Sequence, residues 1–386
     1  MSIYLDHAAT APINEAALSA LTTAMLKLGN ASSIHTPGRS VRKDVEDARH
    51  RLSELAGATP SEIIFTGSGT EANNLAIKGF FWQAPKRNLI VTSAFEHHAI
   101  LDPIEWLVEH EGAQAVFIPI TSSGVIDLDF LKDLVAKRGS EIAVISVMHS
   151  NNELGSIQPI SDVVKIAGDI PVHTDAVQSF GKVEFDFDAL GVTAATISAH
   201  KIGGPLGVAA LILKRGLDLT PILHGGGQER EIRSGTLNAP AIVAFTAAAE
   251  VAIRDRAENF KRIRELRDYF IEGLKRAVPD VRINSVADPA LPGIVNATFP
   301  GTESDALLLL LDSEGISCSA GSACSAGVPR PSHVLVALGL SETDADASLR
   351  ISIGTTNTKA ELDQVLKILP SVVERARAAF VASELV

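Results

Sequence analysis

The chain has 386 residues, 46% of them apolar and 5% aromatic, which suits one large domain plus a smaller one around a sizeable core. Lys and Arg number 34 against 46 Asp and Glu, a formal net charge of −12, and that excludes nucleic-acid binding through a broad basic face. The longest purely apolar runs, Ala306 to Leu311 among them, are far too short to cross a bilayer.

The opening, Met1-Ser2-Ile3-Tyr4-Leu5-Asp6-His7, has neither the basic nor the apolar region of a signal peptide. Strands and helices then alternate from about residue 60 to 215. Ile63-Ile64-Phe65 reads as a strand, followed by a glycine loop and a helix from Glu71 to Lys78. Leu89-Ile90-Val91-Thr92 and Ala115-Val116-Phe117-Ile118 are predicted strands, and Asp127 to Arg138 has helical spacing. Ile142 to Val147 is a buried strand, with a helix near Ile160 to Ala167. Two more strands end at Thr174 and Ser198, and Val208 to Leu213 is another. This alternation predicts an α/β fold with a mostly parallel sheet.

Ala239 to Leu274 reads as one long amphipathic helical stretch leading out of the large domain. Gly293 to Thr298 and Leu349 to Ile353 are predicted strands, with helices over Asp305 to Asp312 and Lys359 to Ala382. These make a smaller α+β domain. The division expected is 14–255 for the large domain, with 1–13 and 256–386 in the small one. The two cysteines, Cys318 and Cys324, lie close together in the small domain, which is no disulfide framework. They favour a reducing, cytoplasmic setting. No Cys/His spacing suggests a metal.

The chemistry-bearing residues stand at predicted strand ends, where open α/β sheets bind ligands. Lys201, in Ser198-Ala199-His200-Lys201-Ile202-Gly203-Gly204, follows one strand. Asp175, in His173-Thr174-Asp175-Ala176-Val177-Gln178, ends another. A pyridine aldehyde cofactor needs such a pair: a lysine to form the Schiff base and a carboxylate to keep the ring nitrogen protonated. Gly67-Ser68-Gly69-Thr70-Glu71 opens a helix after a strand, so the amides of Gly69 and Thr70 can cradle a phosphate. An ordinary loop with Thr70 as helix cap would look the same. Ser198 and His200 could add donors to that phosphate. Gln178 could reach the phenolic oxygen, His97 could stack on the ring, and either Asn151 or Asn152 could touch the cofactor. Cys324 lies among Gly, Ala and Ser, as an accessible nucleophile would, whereas Cys318 follows a strand and is expected to be packed. Arg350, in a short strand, could clamp a carboxylate with two parallel hydrogen bonds.

Tyr4-Leu5-Asp6 with Ala8-Ala9-Thr10, Gly69-Thr70-Glu71, Glu96-His97 and Asn151-Asn152-Glu153 occur in order with the Asp175 and Lys201 segments, Arg233-Ser234-Gly235-Thr236 and Gly321-Ser322-Ala323-Cys324. Nearly end to end, the chain resembles a cysteine desulfurase of the class V aminotransferase family. The Ser-Ala-Gly-Ser-Ala-Cys loop resembles the group I enzymes of iron–sulfur cluster assembly and related sulfur pathways.

The resemblance implies the type I fold of pyridoxal-phosphate (PLP) enzymes, with a seven-stranded sheet. It implies Lys201 as the Schiff-base lysine, Asp175 at the ring nitrogen, Gln178 at the phenolic oxygen and His97 over the ring with Asn152 beside it. Gly69, Thr70, Ser198 and His200 would hold the phosphate. Thr236 would reach the phosphate of a dimer partner, so a homodimer is implied. Arg350, with Asn152, would bind the carboxylate of L-cysteine. Lys201 or His97 would take the Cα proton. Cys324 would accept the sulfur as a persulfide and pass it to an acceptor protein. Two departures stand out: Gly354 is followed by Thr355 rather than Arg, and the C-terminus lacks the longer tail of some members. The alternatives are another PLP-dependent lyase or aminotransferase, which would not need Cys324, and a non-catalytic PLP-binding sulfur-carrier platform.

Overall fold

The computed structural model describes residues 2–286, 288–320 and 331–383. Strand β1 is Ile3–Tyr4. The strands that follow are β2 (Ile63–Thr66), β3 (Leu89–Ser93), β4 (Gln114–Ile118), β5 (Ile142–Ser146), β6 (Val172–Asp175), β7 (Ala194–Ser198) and β8 (Ala209–Leu213). These last seven form one sheet in the order β2-β8-β7-β6-β5-β3-β4. Only β8 runs against the others: its pairings with β2 and β7 are antiparallel and the rest are parallel.

The central strands are buried along their whole length, because helices cover both faces. One face packs Phe65, Val91, Ile145, Ile197 and Ile212 into a core shared with Phe180 and Phe245. The other packs Ile64, Ile90, Val144 and Leu211 under Leu75, Ile100 and Leu107. Neighbouring residues of one strand thus serve opposite faces, as the period of two requires.

The smaller sheet pairs β9 (Arg282–Ile283) and β12 (Ser348–Ser352) on either side of β10 (Ile294–Thr298). A separate short pair joins β1 to β11 (Ile316–Ser317), in parallel. Ile3 and Leu5 bury themselves with Phe270, Val295, Leu349 and Leu369. The start of the chain therefore packs with its end.

The sequence reading passes over the helices Glu15–Met25, Thr36–Ala56 and His98–Glu111, and one element that it does name differs. The stretch from Ala239 to Leu274 is two helices, Ala239–Arg254 and Arg256–Ala277, and not one. Asp255 leaves the helix at φ −95° and ψ 4°. The first helix sends Ala244, Phe245 and Ala248 into the large core, and the second sends Ile263, Phe270 and Leu274 into the small one. The two helices thus serve different cores.

Among the described residues no helix is long and apolar enough to cross a membrane, and no His, Cys, Asp and Glu gather into a metal-binding group.

Candidate active site

Five parallel strands deliver side chains to one end of the sheet, into a cavity of about 480 Å³. After β2 the chain turns at Ser68 and starts the helix Gly69–Gln83. The cap is Ser68, whose hydroxyl accepts from the Glu71 amide at 3.0 Å; the alternative of Thr70 as cap is thereby corrected. Gly69 and Thr70 are the first two helical residues, so their amides have no carbonyl one turn behind them. They border the cavity together with Ser198 and His200 from the end of β7. Gly69 also keeps the wall thin, since a Cβ there would stand 3.1 Å from Val177 Cγ2. Glu71 braces the turn by accepting from the Gly67 amide at 2.8 Å and from Arg233 Nε at 2.7 Å.

Asp175 ends β6. Its Oδ1 accepts from the Val177 amide at 2.9 Å and its Oδ2 from Asn73 Nδ2 at 2.7 Å. Asn73 Oδ1 is buried without a partner. Asn73 comes from the helix that begins at Gly69, so one helix supports both ends of the cavity.

After β3, His97 caps the helix His98–Glu111: its Nδ1 accepts from the Ala99 amide at 3.0 Å. That bond fixes the ring plane and leaves the proton of the neutral imidazole on Nε2. Burial, followed by the charge of Lys201, lowers its pKa, while Asp175 acts the other way. Next to it, Glu96 is fully buried, and desolvation raises its carboxyl to about 8.

After β5 the two asparagines separate. Asn151 is saturated: its Nδ2 donates to Phe95 O at 2.9 Å, and its Oδ1 accepts from the Glu153 and Leu154 amides at 2.8 Å each. Asn152 borders the cavity.

Lys201 closes a single 3-10 turn after β7, and Gly203, at φ +82°, takes the chain away. Its Nζ donates to the carbonyls of Ala8 and Ala9 at 2.7 Å each. Burial first, then the Arg350 charge, lowers it to about 8, against the pull of Asp175 and Asp6. An amine attacks an aldehyde only when neutral. Attachment of PLP to the cofactor-free chain should therefore quicken with rising pH and level off above about 8. A stopped-flow record of the absorbance change checks this; a rate still climbing toward the ordinary lysine range contradicts the perturbed amine.

Arg350, on β12, enters from the small sheet and is 4% exposed. Its Nη2 donates to Asp6 Oδ1 at 2.9 Å, and its Nη1 lies 3.5 Å from Asn152 O. Its Nε is buried with no acceptor. A buried donor left open costs about 1–3 kcal/mol, so this site favours an incoming anion.

Ser319 exchanges backbone hydrogen bonds with Arg350, at 3.2 and 2.7 Å, and borders the cavity. Cys318 is packed against the small core, and burial pushes its thiol up to about 12, far from a thiolate. Cys324 lies outside the described residues. Thr236 is exposed and does not border the cavity; it faces a separate recess beside Lys27 and Asn30.

The cavity thus gathers Gly69, Thr70, His97, Asn152, Asp175, Gln178, Ser198, His200, Lys201 and Arg350. Sequence reasoning missed Asn73, Asp6 and the Ala8 and Ala9 carbonyls. Their signal is only spatial, since Asn73 is 102 residues from Asp175 and Asp6 is 344 from Arg350.

A family model described as Aminotransferase class-V matches residues 3–365. The chain belongs to that family. It is 46% identical to the "IscS-like cysteine desulfurase" of Mycobacterium tuberculosis, over 98% of each chain. Among solved structures, it is similar to one titled "NIFS-LIKE PROTEIN" at TM-score 0.90 and 33% identity, over 97% of this chain and all of that one. It is also similar to one titled "SspA in complex with cysteine", at TM-score 0.78 and 32% identity, over 92% of this chain and 100% of that one. The expected fold holds: this is the α/β fold of the class V family, with its mostly parallel seven-stranded sheet. A class V member of this kind is a PLP-dependent enzyme. The donor set fits the cofactor: open helix-start amides at one end, a carboxylate braced by two donors at the other, and a depressed lysine between.

Proposed function

We propose that the chain is a cysteine desulfurase, converting L-cysteine to L-alanine and holding the sulfur on Cys324 as a persulfide. The observation that carries this reading is that Lys201, Asp175 and Arg350 share one cavity, whose wall includes Ser319. Cys324 follows Ser319 by five residues, a span of at most about 18 Å of extended chain. That is short enough to place a thiol within reach of a substrate held by Arg350.

The cofactor supplies an electron sink for the charge left when the Cα proton departs. The chain's own groups do the rest. Gly69, Thr70, Ser198 and His200 would hold the phosphate, Asp175 the ring nitrogen, and Gln178 the phenolic oxygen. His97 would stack on the ring. Its Nδ1 is occupied by the Ala99 amide and its Nε2 carries the proton, so Lys201 takes the Cα proton. Arg350 holds the substrate carboxylate through Nε and a terminal nitrogen, loosening its pair with Asp6, and Asn152 stands beside it. The Cys324 thiolate then bonds to the substrate sulfur as the bond between that sulfur and Cβ breaks. The electron pair stays with Cβ, which takes up a proton, and Lys201 returns the proton to Cα, so that the product leaves as alanine.

The enzyme acts as a homodimer in this reading. Leu26, Leu28 and Ile34 are 88%, 86% and 89% exposed, and Thr236 faces a recess bounded by Lys27, Gly29 and Asn30. A second copy would cover this apolar stretch and receive Thr236 at its own phosphate. A nucleophilic thiol needs a reducing compartment, and the cytoplasm is the one assigned. The persulfide passes to an acceptor protein, in a pathway such as iron–sulfur cluster assembly.

The test is mass spectrometry after brief reaction with L-cysteine, which should place an added sulfur atom on the Cys324 peptide. Cys324→Ser should lose sulfide release yet still bind cysteine and change the cofactor spectrum. Cys318→Ser should keep most activity. Sulfur found on Cys318, or equal loss in both variants, overturns the assignment.

A further inference from the structure

An amide side chain has a donor end and an acceptor end, and only the donor end helps a phenolic oxygen that carries negative charge. Gln178 borders the cavity and donates from Nε2 to Ala8 O at 2.8 Å, the carbonyl that also accepts from Lys201. Its Oε1 accepts from Lys182 Nζ at 3.1 Å. The turn that follows β6 makes this contact. The Ser179 and Phe180 amides bond to Ala176 O, and the Lys182 and Val183 amides bond to Ser179 O. Gly181 stands at φ +74°, and a Cβ there would lie 3.0 Å from Ala252 Cβ and 3.1 Å from Ile202 Cγ2. Only glycine fits that corner, and it brings Lys182 back onto residue 178.

Lys182 is otherwise hard to explain. Its hydrogen bond to Gln178 is its one polar contact among the described residues, and no carboxylate pairs with it. Lys201 and Arg350 oppose its charge, and His7 and His200 are further titratable neighbours. Asp255 and Arg256 share the roughly 320 Å³ recess that Lys182 borders behind Lys201. Burial and those cations bring its ammonium down to about 7. A lysine in such a place costs stability, so its gain lies elsewhere.

We propose that Lys182 is a positioning residue for the cofactor: it holds Gln178 Oε1 away from the cavity, so that the second N–H of Nε2 faces the phenolic oxygen. Ala8 O accepts one Nε2 hydrogen and Lys182 satisfies Oε1, which leaves that second hydrogen for the ring. This rests on the proposed contact between Gln178 and the phenolic oxygen.

The readout is the pH midpoint of the visible absorption of the PLP-loaded enzyme. A donor at the phenolic oxygen favours its anionic form; without the donor, the oxygen and the attached nitrogen hold their shared proton longer. Lys182→Met should raise the midpoint by about one pH unit, a roughly tenfold change in proton affinity. Gln178→Leu should do the same, and the double variant should shift no further than either single one. Lys182→Gln keeps a donor but no charge and should stay near the parent. It also keeps the test open should the methionine variant fail to fold. A Lys182→Met midpoint at the parent value, with Gln178→Leu shifted, overturns the proposal. So does an additive double variant, or a Lys182→Gln shift as large as that of Lys182→Met, since each means that Lys182 acts only as a charge. A Gln178→Leu variant with no shift instead overturns the contact on which the proposal rests.

Discussion

Replacing Lys201 with alanine should remove turnover of cysteine while leaving the fold and part of the cofactor affinity intact. In the proposed reaction this amine both anchors the cofactor and takes the Cα proton. Loss of a positioned base alone costs about 10²–10⁴-fold, and loss of the covalent anchor adds to that. No nearby group replaces it. His97 has its Nδ1 engaged by the Ala99 amide, and Lys182 is bonded to Gln178. Phosphate affinity should survive in part, because Gly69 and Thr70 belong to a helix that Lys201 does not support. Equilibrium dialysis with PLP separates this from a general collapse. Borohydride reduction of the parent should fix the cofactor on Lys201 and on no other lysine. A label on Lys182, which borders the recess behind Lys201, would displace the assignment.

Arg350→Lys should lower kcat/KM for cysteine by thirty- to several-thousand-fold, from about 2–5 kcal/mol for losing a partner of a buried charge pair. The charge is kept and the geometry is lost. Nε of Arg350 is buried and open, and a carboxylate can span Nε and a terminal nitrogen in one plane; a lysine ammonium offers no such plane. The variant also leaves Asp6 with a looser partner, so Asp6→Asn is the control. It should weaken the positioning of Arg350 less than removing the guanidinium does. Cofactor absorbance should match the parent in both. A substrate titration that finds Arg350→Lys and Arg350→Ala unchanged in binding and turnover makes Arg350 a structural partner of Asp6 only.

The sheet was readable because most of its strands are short apolar runs, several of them closed by Ser or Asp. Ile160–Ala167 as a helix agrees with the pattern because Ile160, Val163 and Ala167 fall on one buried face, and Ala194–Ser198 as a strand leading to Lys201 agrees because it is buried along its whole length. The break at Asp255 was not readable. Neither Gly nor Pro marks it, and helical spacing continues past it; the helices on its two sides pack into different cores, which no local signal records. The strand-end position of the cavity followed from the same pattern. Its supporting contacts did not. The Asn73 to Asp175 bond, the Asp6 to Arg350 pair and the Lys201 bonds to Ala8 and Ala9 join residues far apart in the chain. Composition and periodicity carry no record of such pairs. Lys182 was hidden for another reason: a lysine in a turn looks like any solvated charge until its neighbours are known.

The most direct test of the account is the product balance of the purified PLP-loaded protein given L-cysteine and an excess of thiol reductant. The account expects alanine and sulfide in equal amounts, and neither product from the Cys324→Ser variant. Sulfide with pyruvate and ammonia in place of alanine, or a keto acid without sulfide, would contradict it and point to another reaction of the same fold.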